Sequence, residues 1–360
     1  MEYYLFATND CNLQCKYCSI LVKANELEIP KEPVYSIDDL NQFIDTTQKQ
    51  YHDHIADIIF FGGEPTLNYS FIQKVINVQS TLGELSYQFR YMLHTNGLLL
   101  KEVPYNVLSK LHSIMVSINY DRVPRSTLND SYFHVIENAV HSIKKKKKIP
   151  VVGRFTITED TSLYSEVVLF NAFFDAIYWQ IENKYRFINF SSFYSSYKYE
   201  LELVFELWLS YLSKGILLRL IPFMAAAHFS ETVQTTNTFC CGYNNSMVYI
   251  QTNGLCYTCA EDMMTKKNLV GDIHSNLKFD NFNITDTRCT SCKYMYMCMG
   301  RCGRMHKEFS DKHIKEYCSL NQILFDLIID HYGEIQKYCR HYNISLDLAN
   351  PIYHYTEYTP

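Results

Sequence analysis

The sequence lacks an uninterrupted apolar run long enough to span a membrane, and it lacks a basic leader followed by an apolar signal core. Both absences predict a cytoplasmic protein. A strong excess of one charge is also missing, since the net charge is −5 and neither half is strongly basic. We therefore expect neither nucleic acid nor an anionic membrane as a partner, which leaves a small molecule or a peptide as the substrate.

Glycine is scarce, with 12 residues against 30 tyrosines, and cysteine is absent from a long middle segment. Of the 13 cysteines, three precede residue 20 and ten follow residue 239. Intracellular proteins seldom keep disulfides, so this distribution predicts metal binding at both ends of the chain. The tyrosines are expected to serve aromatic packing and not tyrosine chemistry.

Three cysteines, Cys11, Cys15 and Cys18, lie at C-x3-C-x2-C spacing directly after an apolar run. Three thiolates spaced in this way on a loop can converge on three corners of an iron–sulfur cube and leave the fourth iron without a protein ligand. An open iron is a place for a substrate or cofactor. The alternatives are a zinc site, which needs a fourth ligand nearby, and three unrelated buried thiols.

Apolar runs alternate with helical patterns through the first half of the chain. Strands are predicted at residues 2–7, 56–61, 88–94, 113–119 and 150–158, and helices near Ser36, after an Asn68 cap, at 106–112, at 131–147 and at 196–215. Helical crossovers of this length are typical of parallel strands. Six such units by about residue 183 fit a barrel or partial barrel better than an open doubly wound sheet, although periodicity alone does not separate the two.

The three-cysteine motif resembles the signature of the radical S-adenosylmethionine (SAM) superfamily, which places an aromatic residue, here Tyr17, before the last cysteine. The resemblance implies a partial (β/α)6 TIM-type barrel and a SAM-binding [4Fe-4S] cluster held by the three cysteines. Transfer of one electron into the SAM sulfonium would then release methionine and a 5′-deoxyadenosyl radical.

Further motifs of the same superfamily follow at the ends of later strands. Gly62-Gly63-Glu64-Pro65 resembles its GGEP motif, which implies that Glu64 contacts the methionine ammonium. The resemblance assigns to the SAM pocket Tyr17, Gly62, Gly63, Glu64, Pro65, Asn96, Ser117 and Arg154. An ordinary turn at Asn96-Gly97 and a buried ion pair at Arg154 are the alternatives. The stretch after Ile118 departs from the Asp-Gly of many relatives.

The C-terminal cysteines resemble the seven-cysteine pattern of SPASM domains, which extend many radical SAM enzymes that modify peptides. The resemblance implies two auxiliary [4Fe-4S] clusters, one held by Cys289, Cys292, Cys298 and Cys318, the other by Cys241, Cys259 and Cys302. Two zinc knuckles are the alternative. The predicted domains are the barrel at 1–195, a helical bridge at 196–236, the SPASM domain at 237–325 and a helical tail at 326–360.

The cluster assigned to Cys241, Cys259 and Cys302 has three protein ligands. Its fourth iron could be bound by Cys240, by Cys256 or by a thiolate of the substrate. Cys256 and Cys259 are an odd number of steps apart on one strand of a hairpin, so they are expected to face opposite sides. This favours an iron left open. Cys339 is expected to be a free thiol.

Two reactions remain open for a SPASM enzyme. A maturase of ribosomally made peptides would abstract a hydrogen and form a thioether or carbon–carbon crosslink, whereas an anaerobic sulfatase-maturing enzyme would oxidise Ser or Cys to formylglycine. Sulfatase maturases carry an Asp after the second auxiliary-cluster cysteine, where this chain has Ala260, with Glu261 and Asp262 beyond it. The departure favours the peptide maturase. A non-enzymatic zinc-binding protein would leave the SAM-pocket residues unexplained as a set.

The implied partners are a precursor peptide or protein and an electron donor such as flavodoxin or ferredoxin. No leader-binding winged helix is expected before the first strand. We therefore expect a separate leader-binding protein, or the region after Cys318, to capture the substrate.

Overall fold

The structure is a computed structural model that describes residues 1–15, 18, 24, 26–118, 131–146, 149–183, 186–232, 241, 246–260, 268–279, 284–348 and 359–360. The chain divides into two compact units. Unit 1 comprises Met1–Ser117, Arg122–Pro150 and Gly242–Phe282, and unit 2 comprises Ile118–Asp121, Val151–Cys241 and Asn283–Pro360. The domain boundaries expected after residues 195, 236 and 325 stay predictions.

The described residues contain nine strands and twelve α-helices. The strands are β1 (Glu2–Thr8), β2 (Ile55–Gly62), β3 (Gln88–Thr95), β4 (Ser113–Ser117), β5 (Val151–Ile157), β6 (Ala176–Ile181), β7 (Met247–Ile250), β8 (Leu255–Tyr257) and β9 (Leu269–Asp272). The helices are α1 (Ile37–Tyr51), α2 (Tyr69–Gln79), α3 (Tyr105–Leu108), α4 (Ser131–Lys146), α5 (Leu163–Phe170), α6 (Phe190–Leu212), α7 (Ile221–Thr232), α8 (Thr287–Thr290), α9 (Met295–Cys298), α10 (Gly303–Glu308), α11 (Asp311–Asp330) and α12 (Tyr332–Tyr342).

The sheet of unit 1 has the strand order β4-β3-β2-β1-β7-β8-β9. Neighbouring strands from β4 to β7 pair in parallel, whereas β7, β8 and β9 pair antiparallel. Every residue of β1 after Glu2 is buried, which is typical of a parallel strand covered on both faces. The predicted α/β class with parallel strands is therefore confirmed, and the carboxyl ends of β1, β2 and β3 meet at one edge.

Helix α1 covers one face of this sheet and begins where the sequence predicted. Ser36 caps it, accepting from the Asp39 N–H, while the Asp39 side chain accepts from the Ser36 N–H in a capping box. Its buried apolar stripe includes Leu40, Phe43 and Ile44. The Tyr3 hydroxyl on β1 donates to Gln48 Oε1 on α1 at 3.0 Å, so odd-numbered residues of β1 face this helix.

Other helix ends confirm or correct the predicted limits. Asn68 caps α2, because its side chain accepts from the Phe71 N–H. The helix predicted at 106–112 is the single turn α3, ending at Leu108 because Ser109 closes it and β4 starts four residues after Ser109. The helix predicted at 196–215 begins earlier, at Phe190, where the Asn189 side chain caps it.

Unit 2 contains the parallel pair β5–β6 and most of the long helices. Two fully buried tryptophans anchor its core: the Trp208 indole donates to the Leu218 carbonyl oxygen at 3.0 Å, and the Trp179 indole donates to the Tyr197 hydroxyl at 3.3 Å. The Tyr317 hydroxyl of α11 donates to the Glu182 carbonyl oxygen just after β6. These bonds satisfy polar atoms that burial would otherwise penalise. Among the described helices, none is long and apolar enough to cross a membrane.

Candidate metal centres

The N-terminal thiol group, Cys11, Cys15 and Cys18, lies on the loop that follows β1. The Cys18 N–H donates to the Cys15 carbonyl oxygen at 3.0 Å, and the Leu13 N–H donates to the Cys11 sulfur at 3.4 Å, so the loop folds back on itself. Burial raises the pKa of the half-buried Cys11 thiol to about 11, with smaller contributions from Glu64, Cys15 and Cys18. These contributions place the three thiols and the Glu64 carboxylate within electrostatic range of one another.

The two glycines at the end of β2 allow the cysteine loop to pack against that strand. A Cβ atom on Gly62 would lie 2.3 Å from the Thr8 carbonyl oxygen, and one on Gly63 would lie 2.2 Å from the Asp10 carbonyl oxygen. The Gly63 and Glu64 N–H groups donate to these same two carbonyls at 2.9 and 2.8 Å. Glycine is therefore required by the loop backbone itself. Contact of these glycines with SAM stays a prediction.

Asn9 fixes the start of the cysteine loop and was not singled out from the sequence. Its side-chain amide donates to the Pro30 carbonyl oxygen at 2.9 Å, to Gln251 Oε1 at 3.0 Å and to Thr252 Oγ1 at 2.8 Å. Only 6% of Asn9 is exposed. Gln251 and Thr252 follow β7 directly, and Gln251 is 242 positions from Asn9 in the chain. No local sequence signal links residues at that separation.

Glu64 is fully buried and joins the ends of β2 and β3. Its Oε1 accepts from the Thr66 N–H at 3.1 Å, the Thr66 hydroxyl at 2.5 Å and the Thr95 hydroxyl at 2.7 Å, while Oε2 accepts from the Asn96 N–H at 2.7 Å. Burial raises the pKa of Glu64, and these hydrogen bonds oppose the rise. Because Oε2 accepts only one of the four bonds, it can accept from a further donor.

Asn96 links this carboxylate to the cysteine loop. Its side-chain amide donates to Asn12 Oδ1 at 2.7 Å, and Asn12 lies between Cys11 and Cys15. Its own Oδ1 accepts from the Leu98 N–H at 3.1 Å, which fixes the amide orientation. A continuous path of hydrogen bonds thus runs from Glu64 through Asn96 to Asn12. The structure therefore brings together the N-terminal thiol group, Glu64 and Asn96, as the motifs predicted.

Two further predicted SAM contacts, Ser117 and Arg154, are on β4 and β5. Ser117 is the exposed last residue of β4. Arg154 is half-buried on β5 in unit 2, where its guanidinium donates to Gln180 Oε1 and lies 6.0 Å from the centre of the Tyr178 ring. In the part of the chain that the structure describes, no carboxylate pairs with Arg154, so the alternative of a buried ion pair gains no support. Tyr17 lies outside the described residues.

Four cysteines come together in unit 2, and we call Cys289, Cys292, Cys298 and Cys318 the unit 2 thiol group. Burial raises the pKa of Cys289 to about 11, with further contributions from Asp286, Cys318 and Cys292 in that order. The pKa of Cys298 also rises, through burial first and then through the other three thiols. Thiols that influence one another in this way lie within electrostatic range of one another. Their role as ligands stays a prediction.

A buried arginine accompanies the unit 2 thiol group and was not foreseen. Arg301 is 6% exposed and adopts a left-handed φ of 55°. Its Nε donates to the Pro360 carbonyl oxygen at 2.8 Å, and its guanidinium lies 4.5 Å from the centre of the Tyr317 ring. Its charge opposes the rise in the pKa of Cys298 and Cys318. A positive charge here would stabilise bound thiolates.

The other predicted auxiliary set divides between the units. Cys259 belongs to unit 1, whereas Cys241 and Cys302 belong to unit 2, so this set stays a prediction. The Cys302 sulfur accepts from the Asn183 amide at 3.8 Å. Cys240, Glu261 and Asp262 lie outside the described residues.

Cys256 is buried on the face of the unit 1 sheet that α1 covers. It is 0% exposed, and its thiol donates to the Gly254 carbonyl oxygen at 3.7 Å. Its thiolate would raise the pKa of Tyr3 and Tyr35, so it lies near both rings. The next residue, Tyr257, packs instead against Phe6. Cys256 therefore lies among apolar and aromatic side chains, whereas Cys259 is half-buried.

Within the described residues, no three His, Cys, Asp or Glu side chains are arranged to hold a single metal ion. That finding concerns one ion, whereas the thiolates of an iron–sulfur cluster bind separate irons. The donors present suit such clusters in type and number. In unit 1, the three thiols of the N-terminal group lie near the Glu64 carboxylate, which can accept a further hydrogen bond. In unit 2, four thiols lie near the buried guanidinium of Arg301.

Comparison with known proteins agrees with this geometry. Residues 5–161 match the radical SAM superfamily. The radical SAM cyclopropyl synthase TigE of Paramaledivibacter caminithermalis is 28% identical over 132 residues, covering 34% of this chain. The match spans 27% of the length of that curated relative.

Two solved structures share the fold over nearly the whole chain. Native anSMEcpe with bound AdoMet has a TM-score of 0.74 at 17% identity, covering 93% of this chain and 99% of that one. Native anSMEcpe with bound AdoMet and the Cp18Cys peptide has a TM-score of 0.73 at 17% identity, covering 93% and 98%. The predicted partial barrel with a helical C-terminal region is thereby confirmed.

Residues 5–161 form a domain of the radical SAM superfamily. This superfamily uses SAM together with a [4Fe-4S] cluster. This part of the chain therefore resembles a radical SAM domain.

Proposed function

We propose that this protein is a radical SAM enzyme, a peptide maturase that forms a thioether or carbon–carbon crosslink in a ribosomally made peptide. The observation that supports this most is the hydrogen-bonded path from Glu64 through Asn96 to Asn12, which fixes a buried carboxylate beside the N-terminal thiol group. A zinc site needs no such carboxylate held at the ends of two strands. A cofactor with an ammonium group needs such a carboxylate as its hydrogen-bond acceptor.

The residues of the SAM site would have separate tasks. The N-terminal thiol group would hold a [4Fe-4S] cluster, Glu64 Oε2 would accept from the ammonium of SAM, and Asn96 would keep Glu64 in place. Arg154 would pair with the carboxylate of SAM, and Ser117 would contact its ribose. When bound, SAM supplies the 5′-deoxyadenosyl radical that abstracts a hydrogen from the substrate.

The unit 2 thiol group would hold an auxiliary [4Fe-4S] cluster of a SPASM domain, with Arg301 offsetting the thiolate charge. Cys241, Cys259 and Cys302 would hold a second auxiliary cluster whose fourth iron is left open, since Cys256 is buried among Tyr3 and Tyr35. An auxiliary cluster would accept an electron from the substrate radical as the crosslink closes. Three clusters and a peptide substrate follow from this proposal.

The substrate class rests on the relatives named above. TigE is named a cyclopropyl synthase, and anSMEcpe was solved with a bound peptide. The first name supports bond formation between carbons by radical SAM chemistry, and the second supports a peptide substrate. The relative with bond-forming chemistry matches only part of this chain, so the bond formed here belongs to the proposal.

A sulfatase-maturing reaction is the second candidate, because anSMEcpe is a sulfatase maturase and shares the fold. Against it stands Ala260, which occupies the position of the Asp base of such enzymes and has no ionisable group. The zinc-binding alternative leaves the buried carboxylate at Glu64 without a purpose. We therefore place the crosslinking maturase first.

The test begins with anaerobically purified protein, in which iron and sulfide should exceed zinc, and reduction with SAM should yield 5′-deoxyadenosine. The purified enzyme is then incubated with a short Cys-rich peptide encoded beside its gene and, separately, with a sulfatase peptide. Either crosslink removes two hydrogens without producing an aldehyde, and a thioether also protects a cysteine from alkylation. An aldehyde trapped by a hydrazide on the sulfatase peptide alone would establish the second candidate instead.

The proposed partners follow from this chemistry. An electron donor such as flavodoxin or ferredoxin would reduce the clusters, and a separate leader-binding protein or the region after Cys318 would hold the precursor. Oxygen-sensitive clusters and reduced thiols suit the cytoplasm, where we place the enzyme.

A further inference from the structure

His306 on α10 contacts a member of the unit 2 thiol group, a backbone carbonyl and a carboxylate. Its Nε2 is 3.1 Å from the Gly300 carbonyl oxygen and 3.8 Å from the Cys289 sulfur. Its Nδ1 is 3.3 Å from Asp286 Oδ2. The side chain is 12% exposed, so water competes little for these contacts. No sequence motif singles out this histidine.

The contacts of Nε2 determine which partner donates. A carbonyl oxygen can only accept, so the approach of Nε2 to Gly300 requires a hydrogen on that nitrogen. The Cys289 sulfur, when it binds a metal as a thiolate, is also an acceptor. One N–H of His306 therefore faces both the loop backbone and the sulfur.

Asp286 and Arg288 hold the imidazole in this orientation. Asp286 caps α8, accepting from the Arg288 N–H at 2.9 Å, and it accepts from the Arg288 guanidinium Nε at 2.9 Å on Oδ1 and 3.0 Å on Oδ2. The same guanidinium reaches Asp311 Oδ1 of α11 at 2.9 Å. A continuous series of ion pairs therefore stands behind the ring and fixes its Nδ1 side.

We propose that His306 is a positioning residue that donates a hydrogen bond to the Cys289 sulfur and thereby raises the reduction potential of the auxiliary cluster held by the unit 2 thiol group. The inference rests on the proposed function, because it requires that cluster. Hydrogen bonds to a ligating sulfur stabilise the more negative, reduced cluster and are a recognised control of its potential. A histidine that only pins α10 to its loop would leave the potential unchanged.

The test compares the reconstituted wild-type protein with His306→Leu and His306→Gln in redox titrations followed by electron paramagnetic resonance. Leu removes the donor, whereas Gln keeps an N–H donor. Lys307→Gln, on the exposed side of the same helix, is the control for loss of a nearby positive charge. Iron and sulfide content is measured in every sample.

We expect His306→Leu to lower the midpoint potential of one auxiliary cluster and leave the SAM-binding cluster unchanged, with His306→Gln in between and Lys307→Gln like the wild type. An unchanged potential in His306→Leu at full iron content would overturn the inference. If His306→Leu loses the cluster, the His306→Gln variant decides between the two roles. A full iron content with a near-native potential in His306→Gln supports the donor role, and loss of iron in this variant as well overturns it. Wild-type protein holding zinc at these thiols would instead defeat the proposed function.

Discussion

The two groups of clustered thiols are built in opposite ways. The N-terminal thiol group lies on a loop whose position is set by polar side chains: Asn9 and Asn96 bond it to the ends of strands, and Glu64 stands beside it. The unit 2 thiol group lies on the short helices α8 and α9, on the turn between them and on α11, next to the buried charge of Arg301.

This difference indicates different tasks. Three thiols beside a carboxylate with spare acceptor capacity leave room for a ligand that carries an ammonium group. Under the proposal, the four thiols of unit 2 would complete the ligand set of a cluster, and the Arg301 guanidinium would neutralise part of its charge, which suits electron transfer without substrate binding. The first site should respond to SAM, and the second should not.

The largest expected effect separates the two groups directly. Cys15→Ala removes one ligand of the SAM-binding cluster, so formation of 5′-deoxyadenosine should fall to the background level while the auxiliary iron and sulfide remain. The matched variant Cys298→Ala should lose iron from an auxiliary cluster and still cleave SAM. Iron analysis and chromatography of the products measure both. Retained 5′-deoxyadenosine in Cys15→Ala would refute the assignment of the N-terminal site.

Removal of Arg154 should weaken SAM binding without unfolding the protein. Among the residues that the structure describes, the guanidinium contacts the neutral side chains of Gln180 and Tyr178. Its charge can therefore pair with the carboxylate of SAM. Loss of one charge-assisted contact in Arg154→Ala should cost about 1.5–3 kcal/mol of binding free energy, measured by anaerobic titration calorimetry. The exposed Arg186→Ala is the control. Precipitation of Arg154→Ala with unchanged affinity in its soluble fraction would show a structural role.

The end of β1 opposite the cysteine loop carries a half-buried acid, Glu2. Burial, and then the charge of Asp57, raise the pKa of Glu2 from 4.5 to about 8. The folded state thus binds a proton that the unfolded state releases between these values, so stability is full below pH 4.5 and declines up to about pH 8.

Glu2→Gln should remove this decline. The variant should match the wild type at pH 5 and exceed its free energy of unfolding by about 1–3 kcal/mol at pH 8, in anaerobic urea denaturation. The exposed Glu84→Gln is the control. An equal pH dependence in wild type and Glu2→Gln would show that Glu2 is ionised in the folded protein.

The smallest effect is expected at Cys256. Because this thiol is enclosed on the α1 side of the sheet, Cys256→Ala should leave iron content and turnover nearly unchanged. Cys302→Ala should lose iron and serves as the comparison. A Cys-containing peptide should perturb one auxiliary cluster of the wild type. Iron loss in Cys256→Ala, with a wild-type spectrum indifferent to the peptide, would leave electron relay as the role of that cluster.

Local signals predicted much of this fold and less of its site. Ser36 and Asn68 cap helices through bonds to residues three positions away, so the sequence alone locates both. The early end of α3 depends on the cap at Ser109 together with the start of β4 at Ser113, and the helical pattern of 106–112 reveals neither. The order of strands beyond β1 depends on the distant hairpin that places β7 beside it.

The residues that the sequence missed act across long separations. Asn9 bonds to Gln251 and Thr252, and Arg301 bonds to Pro360; none of these pairs has a spacing that a motif could reveal. The cysteines were visible because metal ligands recur at short, fixed intervals. The side chains that position them do not.

The central claim is that one cluster is open to SAM and the others are not. Electron paramagnetic resonance of the reduced wild-type protein, recorded with and without SAM, tests it most directly. We predict that SAM shifts one [4Fe-4S] signal, that this signal is absent from Cys15→Ala, and that the auxiliary signals are the same in all samples. Signals that ignore SAM, or a SAM-sensitive signal that survives in Cys15→Ala, would contradict the account.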